Sequence, residues 1–116
     1  MSNDLNVDGM SLAPGVVETI ISIAANEVEG VASVGSFAAS GIRSMLVAKP
    51  STAGIETVLD AEGKLQVALH IEVYYGQVLP ELAARLREAV ADALLVQVGL
   101  EVASVDIFVD GIQFAQ

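Results

Sequence analysis

The chain has 116 residues, enough for one domain that buries about two-thirds of its unfolded surface. Its hydrophobic content of 53% opposes disorder, and with aromatics at only 4% the core must be built from Val, Ile, Leu and Ala. Acidic residues outnumber basic ones 15 to 5, a net charge of −10 that excludes a phosphate-tracking groove for nucleic acid and disfavours docking on an anionic membrane.

The chain has no cysteine, so disulfides, thiolate chemistry and cysteine-ligated metals are excluded. Met1-Ser2-Asn3-Asp4 lacks the basic start of a secretory signal. No stretch reaches the roughly 18 apolar residues of a membrane span. The protein is expected to be soluble and cytoplasmic, with no direct membrane insertion.

Residues 1–12 are polar, acidic and glycine-containing, and are expected to form a flexible N-terminal arm ahead of a single domain at 13–116. Pro14 suits a first helical position, where its missing N–H costs nothing. Val17, Ile20, Ile21, Ala24 and Val28 then recur at helical spacing, and Gly30 suits the left-handed residue past the helix end. Residues 31–53 combine Gly35, Gly41 and many serines with Val34, Phe37, Ile42, Met45 and Leu46. They read as a mobile segment with a short helix near 37–47, ended by Pro50.

A short strand is expected over Ile55–Asp60, followed by turn chemistry in Asp60-Ala61-Glu62-Gly63-Lys64. The next strand alternates cleanly. Leu65, Val67, Leu69, Ile71, Val73 and Tyr75 point one way, and Gln66, Ala68, His70, Glu72 and Tyr74 the other. Such a sheet has one buried and one wet face. A helix opens at Pro80 and runs to Val98, with Leu82, Leu86, Ala89, Val90, Ala93 and Leu94 inward and Gly99 as its C-terminal cap. The last strand places Val105, Ile107 and Val109 inward and Asp106, Phe108 and Asp110 outward. The predicted fold is α+β, a two-layer sandwich of order α-β-β-α-β: a three-stranded mixed sheet with two helices on one face. The last strand runs parallel to the second, and its neighbour in the sheet is left open.

These segments carry a resemblance. The helix ending Ile23-Ala24-Ala25-Asn26-Glu27-Val28-Glu29-Gly30-Val31 is similar to the Ala-rich helix closing on Glu-Val-x-Gly-Val in the alkaline shock protein family, the Gls-type envelope stress response proteins of Gram-positive bacteria. Tyr75-Gly76, Leu79-Pro80-Glu81-Leu82-Ala83 and Val105-Asp106-Ile107-Phe108-Val109-Asp110-Gly111-Ile112 follow in the family's order, and the resemblance covers residues 12–112. Ala13, Gly15, Val78 and Asp106 depart from the family's usual residues. The resemblance implies a non-enzymatic, cytoplasmic protein that acts at the envelope, self-associates, and is held near the membrane by a small membrane-anchored partner. Other members look like regulators of metabolism. The resemblance brings no catalytic residues.

The residues themselves offer little chemistry. His70 is the lone histidine; with Glu72 and Asp106 it is the only starting point for a metal-assisted hydrolase, and three or four converging ligands would be needed. No metal, cofactor or catalytic site is expected. Asp106 and Asp110, four residues apart on one strand, lie roughly 13 Å apart, too far for a carboxylate dyad. No GxGxxG, GxxxxGK[ST] or GxSxG sequence occurs. Partner contact is expected instead at two places: Phe37, Ile42, Arg43, Met45 and Leu46 in the 31–53 segment, and Tyr74 and Phe108, with Ala68, on the open sheet face. Arg43 and Lys49 could meet an acidic copy of the same chain. The leading functional expectation is an envelope stress response adaptor or scaffold working by protein–protein contacts and self-association. The alternative is a cytoplasmic regulator that docks on a metabolic enzyme.

Overall fold

The alternating run Leu65–Tyr74 is the centre of the molecule. In the computed structural model, which describes residues 5–7, 9–13, 15–34 and 54–114, the elements in chain order are β1 (Leu5–Val7), β2 (Met10–Leu12), α1 (Val16–Asn26), β3 (Val31–Val34), β4 (Ile55–Leu59), β5 (Leu65–Tyr74), α2 (Leu79–Val98) and β6 (Val102–Gln113). β5 pairs with β6 in parallel along its whole length. On its other edge it pairs antiparallel with β4 opposite Leu65–Leu69 and with β3 opposite Ile71–Val73, so β3 and β4 lie end to end along that edge.

The odd-numbered residues of β5 are all but fully buried, from Leu69 at 0% exposure to Leu65 at 2%. They meet Val17, Ile21 and Ala25 of α1 and Leu82, Leu86, Val90, Leu94 and Val98 of α2 in one core. Spacing of four keeps the α2 set on one stripe, and each fully buried Leu or Val contributes on the order of 2 kcal/mol. α1 lies over β3 and β4, α2 lies over β6, and the helices pack against each other. Glu18 on α1 accepts a hydrogen bond from the Thr57 hydroxyl of β4 at 2.9 Å, tying helix to sheet. The α+β two-layer arrangement with both helices on one face is therefore as expected.

Four details differ from the expectation. The sheet has a fourth strand, β3, formed by the first four residues of the segment expected to be mobile from 31. Val31 and Val34 point into the core, at 8% and 6% exposure, which holds this short strand in place despite its bulge. The rest of that segment, 35–53, lies outside the described residues. Next, the stretch read as a flexible arm contains β1 and β2, paired antiparallel with Val7 opposite Met10 across a two-residue connection. Gly9 takes φ of 79°, the left-handed value that such a tight turn demands.

The third difference is the start of α1. It begins at Val16, with Gly15 at φ 91° as the residue before it, and Thr19 sends both its N–H and its hydroxyl to the Gly15 carbonyl. Pro14 lies outside the described residues. Finally, α1 ends at Asn26, whose side chain donates to the Ser22 carbonyl at 3.0 Å. Gly30 is not its cap. At φ 103° it swings the chain into β3, and a Cβ there would stand 2.5 Å from Gln77 Oε1. Gly99 does cap α2: it sits at φ 75°, its N–H reaches the Leu95 carbonyl, and buried Leu100 bonds back to Leu94.

Candidate functional site

The sheet's second face is where function has room to act. No helix of the described residues covers it, because both helices lie on the other side. Its residues follow from the register. β5 contributes Gln66, Ala68, His70, Glu72 and Tyr74; Glu56 and Val58 stand opposite Ala68 and Gln66, and Ser33 opposite Glu72. β6 adds Ser104, Asp106 and Phe108 opposite Gln66, Ala68 and His70. The irregularity between Ile71 and Glu72 in the β5–β6 register leaves Asp110 as an extra residue, and its carboxylate turns back to His70.

His70 is held by that turn. Its Nδ1 lies 3.0 Å from Asp110 Oδ2, and its ring stacks on Phe108 with centroids 4.7 Å apart at 18°. It is therefore a fixed side chain about one-third exposed rather than a freely solvated one. The pair could position a proton, but three converging ligands are what a metal needs, and among the described residues no group of three His, Asp or Glu could hold one. Glu72, the other carboxylate expected near His70, bonds instead with Gln113.

Of the expected contact residues, Tyr74 and Phe108 both face this surface but are not neighbours. Phe108 is level with His70 and Tyr74 with Gln113, which separates them by about 13 Å along the strands. Glu72 stands between. Phe37, Ile42, Arg43, Met45 and Leu46 lie outside the described residues. The face is thus acidic with isolated apolar points: Glu56, Glu72, Asp106 and Asp110 carry charge, Phe108 is 46% and Val58 61% exposed, and no Lys or Arg of the described residues lies on it. Lys64 is spent on Glu101 in the turn, and Arg85 and Arg87 belong to α2.

Three further apolar exposures escaped the sequence reading. Val109, expected inward, and Ile112 stand level with core residues Ile71 and Val73 yet remain 41% and 57% exposed on the last strand of the sheet. Tyr75, expected to point inward with the odd-numbered residues of β5, lies one residue past the strand's end, is 67% exposed, and packs ring to ring with Phe114 at 5.2 Å. Between α1 and α2 runs an open groove of about 510 Å³ whose wall includes Ile23, Val28 and Val96, with Glu27 and Asp92 at its rim. The exposure of Val58 was not legible, since Ile55-Glu56-Thr57-Val58-Leu59 does not alternate. Nor was that of Ile23 and Val96, since both lie off the stripe that identifies a helix.

No helix among the described residues is long and apolar enough to cross a membrane. A comparison with solved structures finds no match. Among curated proteins the chain is similar to an uncharacterized protein of Bacillus subtilis (strain 168), YqhY. The two are 30% identical over 111 residues, which is 96% of this chain and 82% of the relative. A family model with the description "cell envelope-related function" matches residues 3–114, nearly the whole chain and every element described above. The protein belongs to the alkaline shock protein family.

Proposed function

We propose that the protein is a non-enzymatic adaptor or scaffold of the envelope stress response. It works from the cytoplasmic side of the membrane through protein–protein contacts, with a small membrane-anchored protein as the partner that holds it there. The observation that supports this reading is the uncovered sheet face: an acidic surface that no helix among the described residues covers, with Phe108, Val58 and Tyr74 as separate apolar points on which a partner could rest. The family's cell envelope-related description supports the place of action. Self-association belongs to the same reading, with Arg43 and Lys49 of one copy meeting the acidic face of another.

The test is affinity capture of the full chain from detergent-solubilised cells of its own source, compared with the double variant Tyr74→Ser, Phe108→Ser. A small membrane-spanning protein captured by the parent and lost with the variant is the expected outcome. Capture of a large soluble enzyme instead would refute it in favour of a metabolic regulator. Turnover abolished by His70→Ala in any assay of the purified protein would refute the non-enzymatic reading.

A further inference from the structure

Resting on that reading, we propose that the outer edge of β6 is a strand-addition site for an extended segment of a partner protein that alternates basic and apolar residues. β6 is 12 residues long, and among the described residues it pairs only with β5. The hydrogen-bond directions identify the groups left over. Odd-numbered β5 residues point their backbone groups at β6: Leu65 and Tyr75 donate to the carbonyls of Glu101 and Gln113. Even-numbered residues point away from it: His70 and Tyr74 donate to Gly54 and Gly30. In a parallel pair, the residue level with a bonding residue turns its own groups outward. Val105, Ile107 and Val109, level with Val67, Leu69 and Ile71, therefore present their N–H and C=O groups at the outer edge.

An independent contact agrees. Arg87 reaches from α2 to donate its Nε–H to the Val105 carbonyl at 3.2 Å, which an inward-pointing carbonyl would not allow. Arg87 thus covers one end of the edge and leaves Ile107 and Val109 open. Natural edge strands are commonly blunted by short length, charge or a covering side chain. Here the length is large, the cover is local, and the charge has one sign.

That charge selects the occupant. A strand added beside β6 would lay alternate side chains on the open face, next to Asp106 and Asp110, and the others on the helix side, next to Val109 and Ile112. Basic residues on the first set meet the carboxylates, and apolar residues on the second complete the core layer that ends at β6. A second copy of β6 offers no basic residue to the carboxylates, and in the antiparallel register centred on Phe108 it would set Asp106 of each copy against Asp110 of the other, where like charges directly opposite destabilise a pair. Main-chain hydrogen bonds give such a complex its affinity and the alternating side chains its selectivity.

The probe is a ten-residue peptide alternating lysine and valine, labelled at one end and titrated with the full chain by fluorescence anisotropy. Three comparisons accompany it: the same peptide N-methylated at alternate residues, a glutamate–valine peptide, and the protein variant Asp106→Asn, Asp110→Asn. Binding is expected for the first peptide, weakened about tenfold or more by N-methylation, which keeps charge but removes the edge bonds. The double variant should weaken it about fivefold or more, and the acidic peptide should not bind. Arg87→Ala, which frees the Val105 carbonyl, should tighten binding by about twofold or more. Amide exchange should slow at Ile107 and Val109 when peptide is bound. Equal binding of the N-methylated peptide would overturn the proposal, as attraction to the acidic face alone. Protection of Ile107 and Val109 in the unliganded protein through dimerisation would assign the edge to a second copy and overturn it too. If the peptide does not bind but capture of an envelope protein still depends on Tyr74 and Phe108, the edge proposal falls and the adaptor reading stands.

Discussion

Leu69→Ala should cost about 3.4 kcal/mol, whereas His70→Ala, one residue along, should cost little. Leu69 is 0% exposed, level with Ile55 on one side and Ile107 on the other, beneath both helices. Truncation removes three carbon groups at about 0.8 kcal/mol each, or about 2.4 kcal/mol. The cavity adds about 1 kcal/mol, because a strand bonded on both edges cannot move in to fill it. With an unfolding entropy of about 2.1 cal/mol/K per residue, the 116-residue chain loses about 0.24 kcal/mol per degree near its midpoint, so Tm should fall by about 14 °C. Leu69→Asp should prevent folding, since an unpaired buried charge takes several kcal/mol from a total of only about 5–15 kcal/mol. His70→Ala gives up a part-exposed hydrogen-bond contact with Asp110 and a surface stack, each worth no more than about 1 kcal/mol. Circular dichroism melts of the three variants read the difference directly. A larger Tm loss for His70→Ala than for Leu69→Ala would mean that the two faces of β5 have been exchanged.

Gly30→Ala should destabilise by about 2 kcal/mol or more, from its positive φ together with the clash on Gln77; adding Gln77→Ala should recover only the steric part, read as a partial return of Tm. Gly99→Ala should cost about 1 kcal/mol through the left-handed cap of α2, visible in chemical denaturation as a lower midpoint with unchanged slope. Zinc added to the purified protein should leave Tm unchanged within error and should not co-elute at one ion per chain by elemental analysis; a stoichiometric metal lost with His70→Ala would contradict the geometry around Asp110 and Phe108.

The elements that repeat their own period were legible from the residues alone. β5 alternates over ten residues and α2 repeats a four-residue stripe over twenty, so both were placed within a residue of their observed ends. β3 was hidden because Val31-Ala32-Ser33-Val34 is too short to display alternation and carries a bulge; only the opposite edge of β5 makes it a strand. The first hairpin was readable, since Asp8-Gly9 between alternating residues is a strong two-residue turn signal, but the acidic composition of the segment outweighed it. The outward direction of Tyr74 and Phe108 followed from alternation. The partner of His70 did not, because which carboxylate it meets depends on β6 lying beside β5 and on one extra residue at position 110.

The end-to-end placement of β3 and β4 has a consequence for the connection between them. Val34 is level with Ile71 and Ile55 with Leu69, so the chain leaves the sheet and re-enters it two β5 residues apart, about 7 Å. Both ends of the connection are thus anchored on one edge of β5. β5 therefore fixes both where the chain leaves the sheet and where it re-enters, through main-chain bonds that do not depend on the side chains of the connection.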